Sequence, residues 1–288
     1  MNNSYNCIEQ KDRYGDFTVL MSVYFKENPD YLRLSLESIY NQVLKPRQIV
    51  IVKDGPLTSE LDLVLNQFYN RDDSIECKIH SLPENAGLGK ALQFGLQFCT
   101  YEIVARADSD DICFSNRFHE QVSFLKEHSD IKLLGSSIKE FKFDPTIVTS
   151  SKKMPIEHKD IVKYSKYRNP FNHPSVVFYK QVVYDAGGYR HFPYYEDYDL
   201  WIRIILKGYK VANIEESLVL MRANDGLYKR RGGLSYIKKI VNFRLYMLKI
   251  KYINLFVFIY TTTMQCLIAL FPNGLRRIVY TKILRQKG

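Results

Sequence analysis

Short apolar runs alternate with stretches in which apolar residues recur every three or four positions through the first part of this 288-residue chain. Phe17–Tyr24 (FTVLMSVY) has the continuity of a buried strand. Asn28-Pro29 then supplies a capping side chain and a proline suited to the first helical position, and Leu32, Leu36, Ile39 and Val43 follow on one helical face. Gln48–Lys53 reads as a second strand ending at Asp54-Gly55-Pro56, and Leu61, Leu65 and Phe68 mark a helix. Cys77–Leu82 is a third strand. After the break at Asn85-Ala86-Gly87, Leu88, Leu92 and Leu96 mark another helix, and Glu102–Ala107 is a fourth strand that stops at Asp108-Ser109-Asp110-Asp111. Beyond it, Arg117–His128 reads as a helix, Ser175–Tyr179 as a strand, and Asp197–Lys207 as a helix with Leu200, Trp201, Ile204 and Ile205 inward. This alternation predicts an α/β fold, a mostly parallel sheet with helices on both faces. Ligands of such sheets gather outside the carboxyl ends of the strands, so Asp54 and Asp108–Asp111 are expected to face one crevice.

Charge changes the picture only at one end. The formal net charge is +10, yet residues 226–288 hold thirteen Lys/Arg and no Asp or Glu, leaving 28 basic against 31 acidic residues before them. A basic surface at one end fits that distribution better than a nucleic-acid-coating protein. Within the tail, Ile253–Phe271 is almost wholly apolar and uncharged, but threonines 261–263 and Gln265 interrupt it and basic residues flank both sides. That pattern fits a helix lying in a membrane interface, or a re-entrant one, better than a span; a buried core helix is the competing reading. Five scattered cysteines and a polar leader over residues 1–15, without a basic-then-apolar signal, point to a reducing cytoplasm. The chain divides into residues 16–115, 116–225 and a tail, 226–288.

Three carboxylates within four positions at a strand end repel one another unless a cation compensates, and oxygen ligands suit Mg²⁺ or Mn²⁺ bridging to phosphates. The bland reading is an acidic turn capping the next helix. Several ordered motifs from Phe17 to Met221 carry a more specific signal. Met21-Ser22-Val23-Tyr24 closes the first strand, and Val52-Lys53-Asp54-Gly55-Pro56 closes the second. Asn85-Ala86-Gly87-Leu88-Gly89-Lys90 opens a helix, Arg106-Ala107-Asp108-Ser109-Asp110-Asp111 ends the fourth strand, and Tyr195-Glu196-Asp197-Tyr198-Asp199-Leu200-Trp201 opens a later helix. Together they resemble the inverting family 2 glycosyltransferases of GT-A fold, in a bacterial surface-polysaccharide branch. The resemblance implies that Ser22 and Tyr24 contact uridine and that Asp54 bonds the pyrimidine base, although Lys53 and Pro56 depart from the usual Val-Asp-Asp-Gly-Ser. It implies that Lys90 and Arg106 serve the donor, that Asp108 and Asp110 provide the metal and ribose contacts, and that Asp111 touches the sugar. Asp197 would be the general base, with Glu196 beside it at the acceptor.

Other residues keep two readings. His173, in Asn172-His173-Pro174-Ser175, could contact phosphate, metal or acceptor, or be a satisfied histidine beside a turn. Arg230 and Arg231, before Gly232-Gly233, could close over the diphosphate or meet a membrane surface. Arg117 reads as structural, pairing with the acidic turn. The acids of Tyr195–Asp199 could simply favour the positive end of a helix. The resemblance implies a nucleotide-sugar donor and a lipid-linked or oligosaccharide acceptor; glucose or galactose from a UDP-sugar, in β linkage, is the expectation, and the basic, apolar tail points to a peripheral place on the cytoplasmic face of the cell membrane. A nucleotidyltransferase would share the sheet and the carboxylates, but Phe25-Lys26-Glu27-Asn28 is not the glycine-rich basic loop it needs after the first strand. A non-enzymatic nucleotide-binding subunit would have no use for Asp197.

Overall fold

A computed structural model describes residues 14–69, 71–223, 230–279 and 286–287. Most of the polar leader, and Lys282 and Arg285 of the basic tail, lie outside the described residues. The strands that the apolar runs predict form the core of one sheet: β1 (Tyr14–Val23), β2 (Lys45–Lys53), β3 (Glu76–Ser81) and β4 (Ile103–Asp108), all parallel, in the order β3-β2-β1-β4. Alternate residues of β1 face opposite sides. Phe17, Val19 and Met21 pack with α1 (Pro29–Tyr40), α2 (Ser59–Tyr69) and α4 (Arg117–Glu127); Leu20 packs with α3 (Leu88–Leu96). Asn28 caps α1 as its sequence predicts, its Oδ1 accepting from the Asp30 and Tyr31 amides at 2.8 and 3.3 Å. That helix stops at Tyr40, so Val43 stands exposed beyond it.

The sheet continues past β4 with mixed strands. β8 (Val177–Tyr179) pairs antiparallel with β4 and with β6 (Ile131–Phe141); β7 (Val148–Lys152) pairs with β6, and β10 (Gln286–Lys287) with β7. β9 (Lys210–Arg222) runs parallel to β6 from Ile131↔Lys210 to Phe141↔Arg222, and its end pairs with β5 (Ile112–Cys113). β5 directly follows the acidic turn, so this pairing ties the turn to Arg222. Between these strands lie α5 (His158–Tyr164), α6 (Lys180–Asp185) and α7 (Glu196–Leu206). Leu200, Trp201 and Ile204 of α7 are fully buried against α3 and β8, whereas Ile205 is half-buried.

The tail folds as α8 (Leu234–Lys249), α9 (Leu255–Leu270) and α10 (Asn273–Ile278). α8 and α9 share an apolar cluster with α7, centred on Phe243, which stacks on Tyr195 at 4.3 Å. No helix among the described residues is long and apolar enough to cross a membrane.

One close contact sets the position of α3, whose first turn carries Lys90. A Cβ on Gly95 would lie 2.6 Å from both Leu20 and Val52, two fully buried side chains of β1 and β2. Gly95→Val is expected to lower unfolding stability by about 1–3 kcal/mol through overpacking, read from the urea midpoint; an unchanged midpoint would show that α3 rides freely on the sheet.

Candidate active site

The register of the parallel strands decides what meets at their carboxyl ends. Ser22 lies opposite both Val52 of β2 and Asp108 of β4, so Ser22, Asp54 and the acidic turn border one cleft of about 700 Å³. Tyr24, Lys90, Arg106, Asp110, Asp111, His173, Glu196, Asp197, Arg230 and Arg231 line the same cleft. The structure therefore gathers every candidate site residue into one space. Their roles differ from one another in ways the sequence did not reveal.

Asp54 is buried, and its carboxylate secures the β3–α3 turn. It accepts from the Ala86 amide at 2.7 Å, the Gly87 amide at 3.0 Å and Asn85 Nδ2 at 3.0 Å. Gly55, at φ +83°, lets the Asn85 backbone come close, since a Cβ there would lie 2.7 Å from its nitrogen. Asp54 thus has a shaping job that stands apart from any contact with a base. Tyr24 is partly exposed at the rim; burial and Glu27 raise its pKa while Arg230 opposes them.

Asp108, Asp110 and Asp111 can bring one oxygen each within 4.8 Å of one another. Their mutual repulsion raises the pKa values of two of them. Burial first, then Asp108 and Glu27, pushes the Asp110 carboxyl up to about 7, and burial with Asp110 and Asp108 holds Asp111 well above the usual range. Help comes from both sides, ionic from one and by hydrogen bonds from the other. The buried guanidinium of Arg106 pairs with Asp108. On the other side, the Arg222 amide donates to Asp111 Oδ1 at 2.7 Å and its Nε donates to the Asp110 carbonyl at 3.2 Å. The Arg222 guanidinium is clamped between Tyr31 and Phe141, 3.6 and 4.4 Å from their ring centres. Asp111 Oδ2 remains buried without a partner among the described residues, so the donor set still lacks positive charge. Oxygen-only ligands with an unsatisfied carboxylate fit a hard divalent cation.

Two expectations need correction. Arg117 does not pair with the acidic turn: it points under β4, where Nη2 donates to the Arg106 carbonyl at 2.7 Å and Nε to Gln121 at 3.1 Å, and Arg106 takes the ionic role. His173 is not brought to the carboxylate group, which among the described residues consists of the three aspartates. Its Nε2 lies 3.3 Å from the Tyr189 hydroxyl and its ring packs on Trp201. Burial, then Arg106, holds its pKa well below the usual value, so it is a neutral ring in the cleft wall.

In the same cleft as the acidic turn, the start of α7 presents Glu196 and Asp197. Asp197 Oδ2 accepts from Asn169 Nδ2 at 2.6 Å, and Oδ1 from the Tyr198 amide at 2.7 Å. Burial raises its pKa against these hydrogen bonds and the charge of Arg106. Asp199, two residues on, turns into the core and binds Arg203 at 2.7 Å; Arg203 in turn holds the Ala186 and Gly188 carbonyls. Arg106 is the link between the two acidic sets, lowering both Glu196 and Asp197, and its Nε and Nη1 are buried without partners among the described residues. The sequence reading missed Arg222, Tyr189 and Asn169. An arginine closing the apolar run Leu218-Val219-Leu220-Met221 was the available signal for the first.

The sequence model of Glycosyl transferase family 2 matches residues 18–188. The chain is a family 2 glycosyltransferase. The enzyme is 37% identical over 270 residues to the UDP-Gal:alpha-D-GlcNAc-diphosphoundecaprenol beta-1,3-galactosyltransferase of Escherichia coli, covering 94% of this chain and 97% of that one. It is 42% identical over 234 residues to the amylovoran biosynthesis glycosyltransferase AmsE of Erwinia amylovora, covering 81% and 85%. Its fold matches the Pyrobaculum calidifontis mannosyltransferase PcManGT, solved with GDP-Man and Mn²⁺, at TM-score 0.61 and 16% identity, covering 87% and 69%. S. aureus TarS 1-349 with UDP-GlcNAc matches at TM-score 0.61 and 16% identity, covering 81% and 67%. The transferase has the GT-A fold.

Glu196 gives the electrostatics a test. Burial, then the Asp197 charge, pushes its pKa from 4.5 up to about 7. A carboxyl raised in the folded state lends stability that is complete below its unfolded pKa and lost as pH rises through its folded pKa. Glu196→Gln is therefore expected to melt higher than the parent at about pH 8, with the gap closing toward about pH 5. A gap independent of pH, by calorimetry, would contradict the strained carboxyl.

Proposed function

We propose that the enzyme transfers a hexose, galactose first among candidates, from a UDP-sugar to a hydroxyl of a glycan carried on a lipid diphosphate, with inversion to a β linkage, in bacterial surface-polysaccharide synthesis. The observation that carries this reading is that Asp197 lines the same cleft as the acidic turn, with Arg106 paired to Asp108 and its charge also acting on Asp197. Support for donor and acceptor comes from the near-full-length similarity to an enzyme named for UDP-Gal and GlcNAc-diphosphoundecaprenol. In this reading residues 16–115 hold the nucleotide-sugar, 116–225 the acceptor and the base, and 226–288 form a tail at the cytoplasmic face of the membrane.

Asp108, Asp110 and Asp111 would hold Mn²⁺ or Mg²⁺, which when bound neutralises the leaving diphosphate. Ser22, Tyr24 and Asp54 position the uridine. Lys90, at the first turn of α3, and Arg230 with Arg231 at the mouth supply cationic partners for the diphosphate. Asp197 removes the proton of the acceptor hydroxyl as its oxygen bonds the anomeric carbon, while the bond from that carbon to the diphosphate oxygen breaks and UDP leaves. The hydrogen bonds from Asn169 and Tyr198 aim the carboxylate, and its raised pKa makes it a stronger base than a surface aspartate. Glu196 lies beside it, facing the acceptor.

Asp197→Asn keeps the shape and removes the proton acceptor. Turnover with a GlcNAc-diphospho-lipid acceptor should fall by about 10²–10⁴-fold, while UDP affinity by calorimetry stays near the parent. Near-normal turnover would move the base elsewhere. Asp110→Ala should abolish the Mn²⁺ dependence of UDP binding, and a retained dependence would remove the ion from this turn.

A further inference from the structure

The last helices of the chain present a surface that catalysis does not use. α9 packs inward through Val257, Thr261 and Ala269, spaced at helical intervals, and Thr261 Oγ1 folds back onto the Val257 carbonyl at 2.7 Å. Its opposite face is apolar and exposed. Phe256 is 76% exposed, Ile259 54% and Leu270 60%, with Leu255, Tyr260 and Leu267 completing a ridge along the helix. An exposed apolar stripe of this length marks a docking surface rather than ordinary surface composition.

We propose that the outer face of α9 docks onto an anionic lipid bilayer and holds the mouth of the cleft against the lipid surface. Charge complementarity selects this occupant. Lys249 and Lys251 are exposed beside the N-terminal end of the ridge, whereas Arg276 beyond its other end is buried and spent on the Ala269 and Phe271 carbonyls. Residues 226–288 contain no carboxylate side chain. In a symmetric pair of chains the same patch faces itself, so these cations would repel each other. An anionic headgroup layer offers the opposite charge while the acyl region takes the apolar side chains.

The ridge also ends beside the cleft. The Gly233 amide, at the start of α8, donates to the Ala269 carbonyl near the end of α9 at 3.1 Å. Arg276 donates to that same carbonyl at 3.1 Å, and its guanidinium lies against Gly232, where a Cβ would meet it at 2.0 Å. Arg230 and Arg231, immediately before, line the cleft. One turn into α8, the Tyr236 ring lies 5.6 Å from that of Tyr194, a cleft-wall residue that Lys239 approaches at 4.0 Å. Tyr194 keeps a left-handed backbone, φ +74°, which non-glycine residues seldom adopt, so α8 fixes an unusual bend at the mouth. A substrate whose lipid lies in the bilayer would meet the mouth at the C-terminal end of the ridge. This placement deepens the proposed lipid-linked acceptor, whereas the docking itself depends only on the surface.

The experiment compares the full chain with Phe256→Ser/Ile259→Ser/Leu270→Ser, none of which lines the cleft. Both proteins are floated with phosphatidylcholine vesicles with and without phosphatidylglycerol, weighed by analytical ultracentrifugation, and assayed for UDP binding. The parent is expected to bind the anionic vesicles, weaken with salt, and remain monomeric. The triple variant should lose at least about tenfold in vesicle partition with UDP affinity unchanged. Lys249→Glu should reduce binding to the anionic vesicles alone. Equal partition of parent and triple variant, no vesicle binding by the parent, or a parent dimer that the variant dissolves would each overturn the proposal. Loss of UDP binding in the parent would instead count against the catalytic reading.

Discussion

Three carboxylates at the end of β4 repel one another, and much of the molecule is arranged to hold them together. Burial worsens the repulsion, since Asp110 and Asp111 both lie far from their ordinary pKa. Arg106 counters from within β4, the Arg222 amide binds the Asp111 carboxylate from the end of β9, and the β5–β9 pairing fixes the turn between them. Asp111 Oδ2 is still unsatisfied. The protein alone leaves a deficit of positive charge at the bottom of the cleft. A divalent cation carried with a nucleotide diphosphate is the ligand chemistry that such a deficit would accommodate, since it would supply the missing positive charge to Asp108, Asp110 and Asp111.

The same arrangement keeps the two acidic sets of the cleft in different states. Around the turn, charges crowd one another. Around Asp197, a single carboxylate is aimed by Asn169 and the Tyr198 amide, and Asp199 is withdrawn into a buried pair with Arg203. Arg106 stabilises the ionised forms of both. The α8–α9 unit then packs on α7 through Phe243, so the helix that carries Asp197 also supports the exposed apolar ridge.

The first half of this design was legible in the sequence because local pattern and global fold agree there. β1 to β4 are short apolar runs, and each helix between them shows its buried stripe. β6 and β9 were not legible. β6 buries Ser136, Ser137 and Glu140, and β9 exposes Glu215 and Glu216 at its irregular middle, so neither keeps a clean alternation. Their parallel pairing also joins residues far apart in the chain, which no local window contains. Arg222 went unseen for that reason: an arginine at a strand end looks like surface until Tyr31 and Phe141 enclose it. Asp54 was found, but its grip on the Asn85–Gly87 turn could not be. The apolar stretch of the tail was found, and the structure divides it into a packed face and an exposed one.

A single base opposite the leaving diphosphate requires that the sugar change configuration once. The anomeric configuration of the product tests this more directly than any substitution. Transfer from a UDP-α-hexose to a GlcNAc-diphospho-lipid, followed by proton NMR of the purified disaccharide, should show the large anomeric coupling of a β-linked residue. A product with the small coupling of an α linkage would mean retention, and Asp197 could not then act as the lone base of a direct displacement.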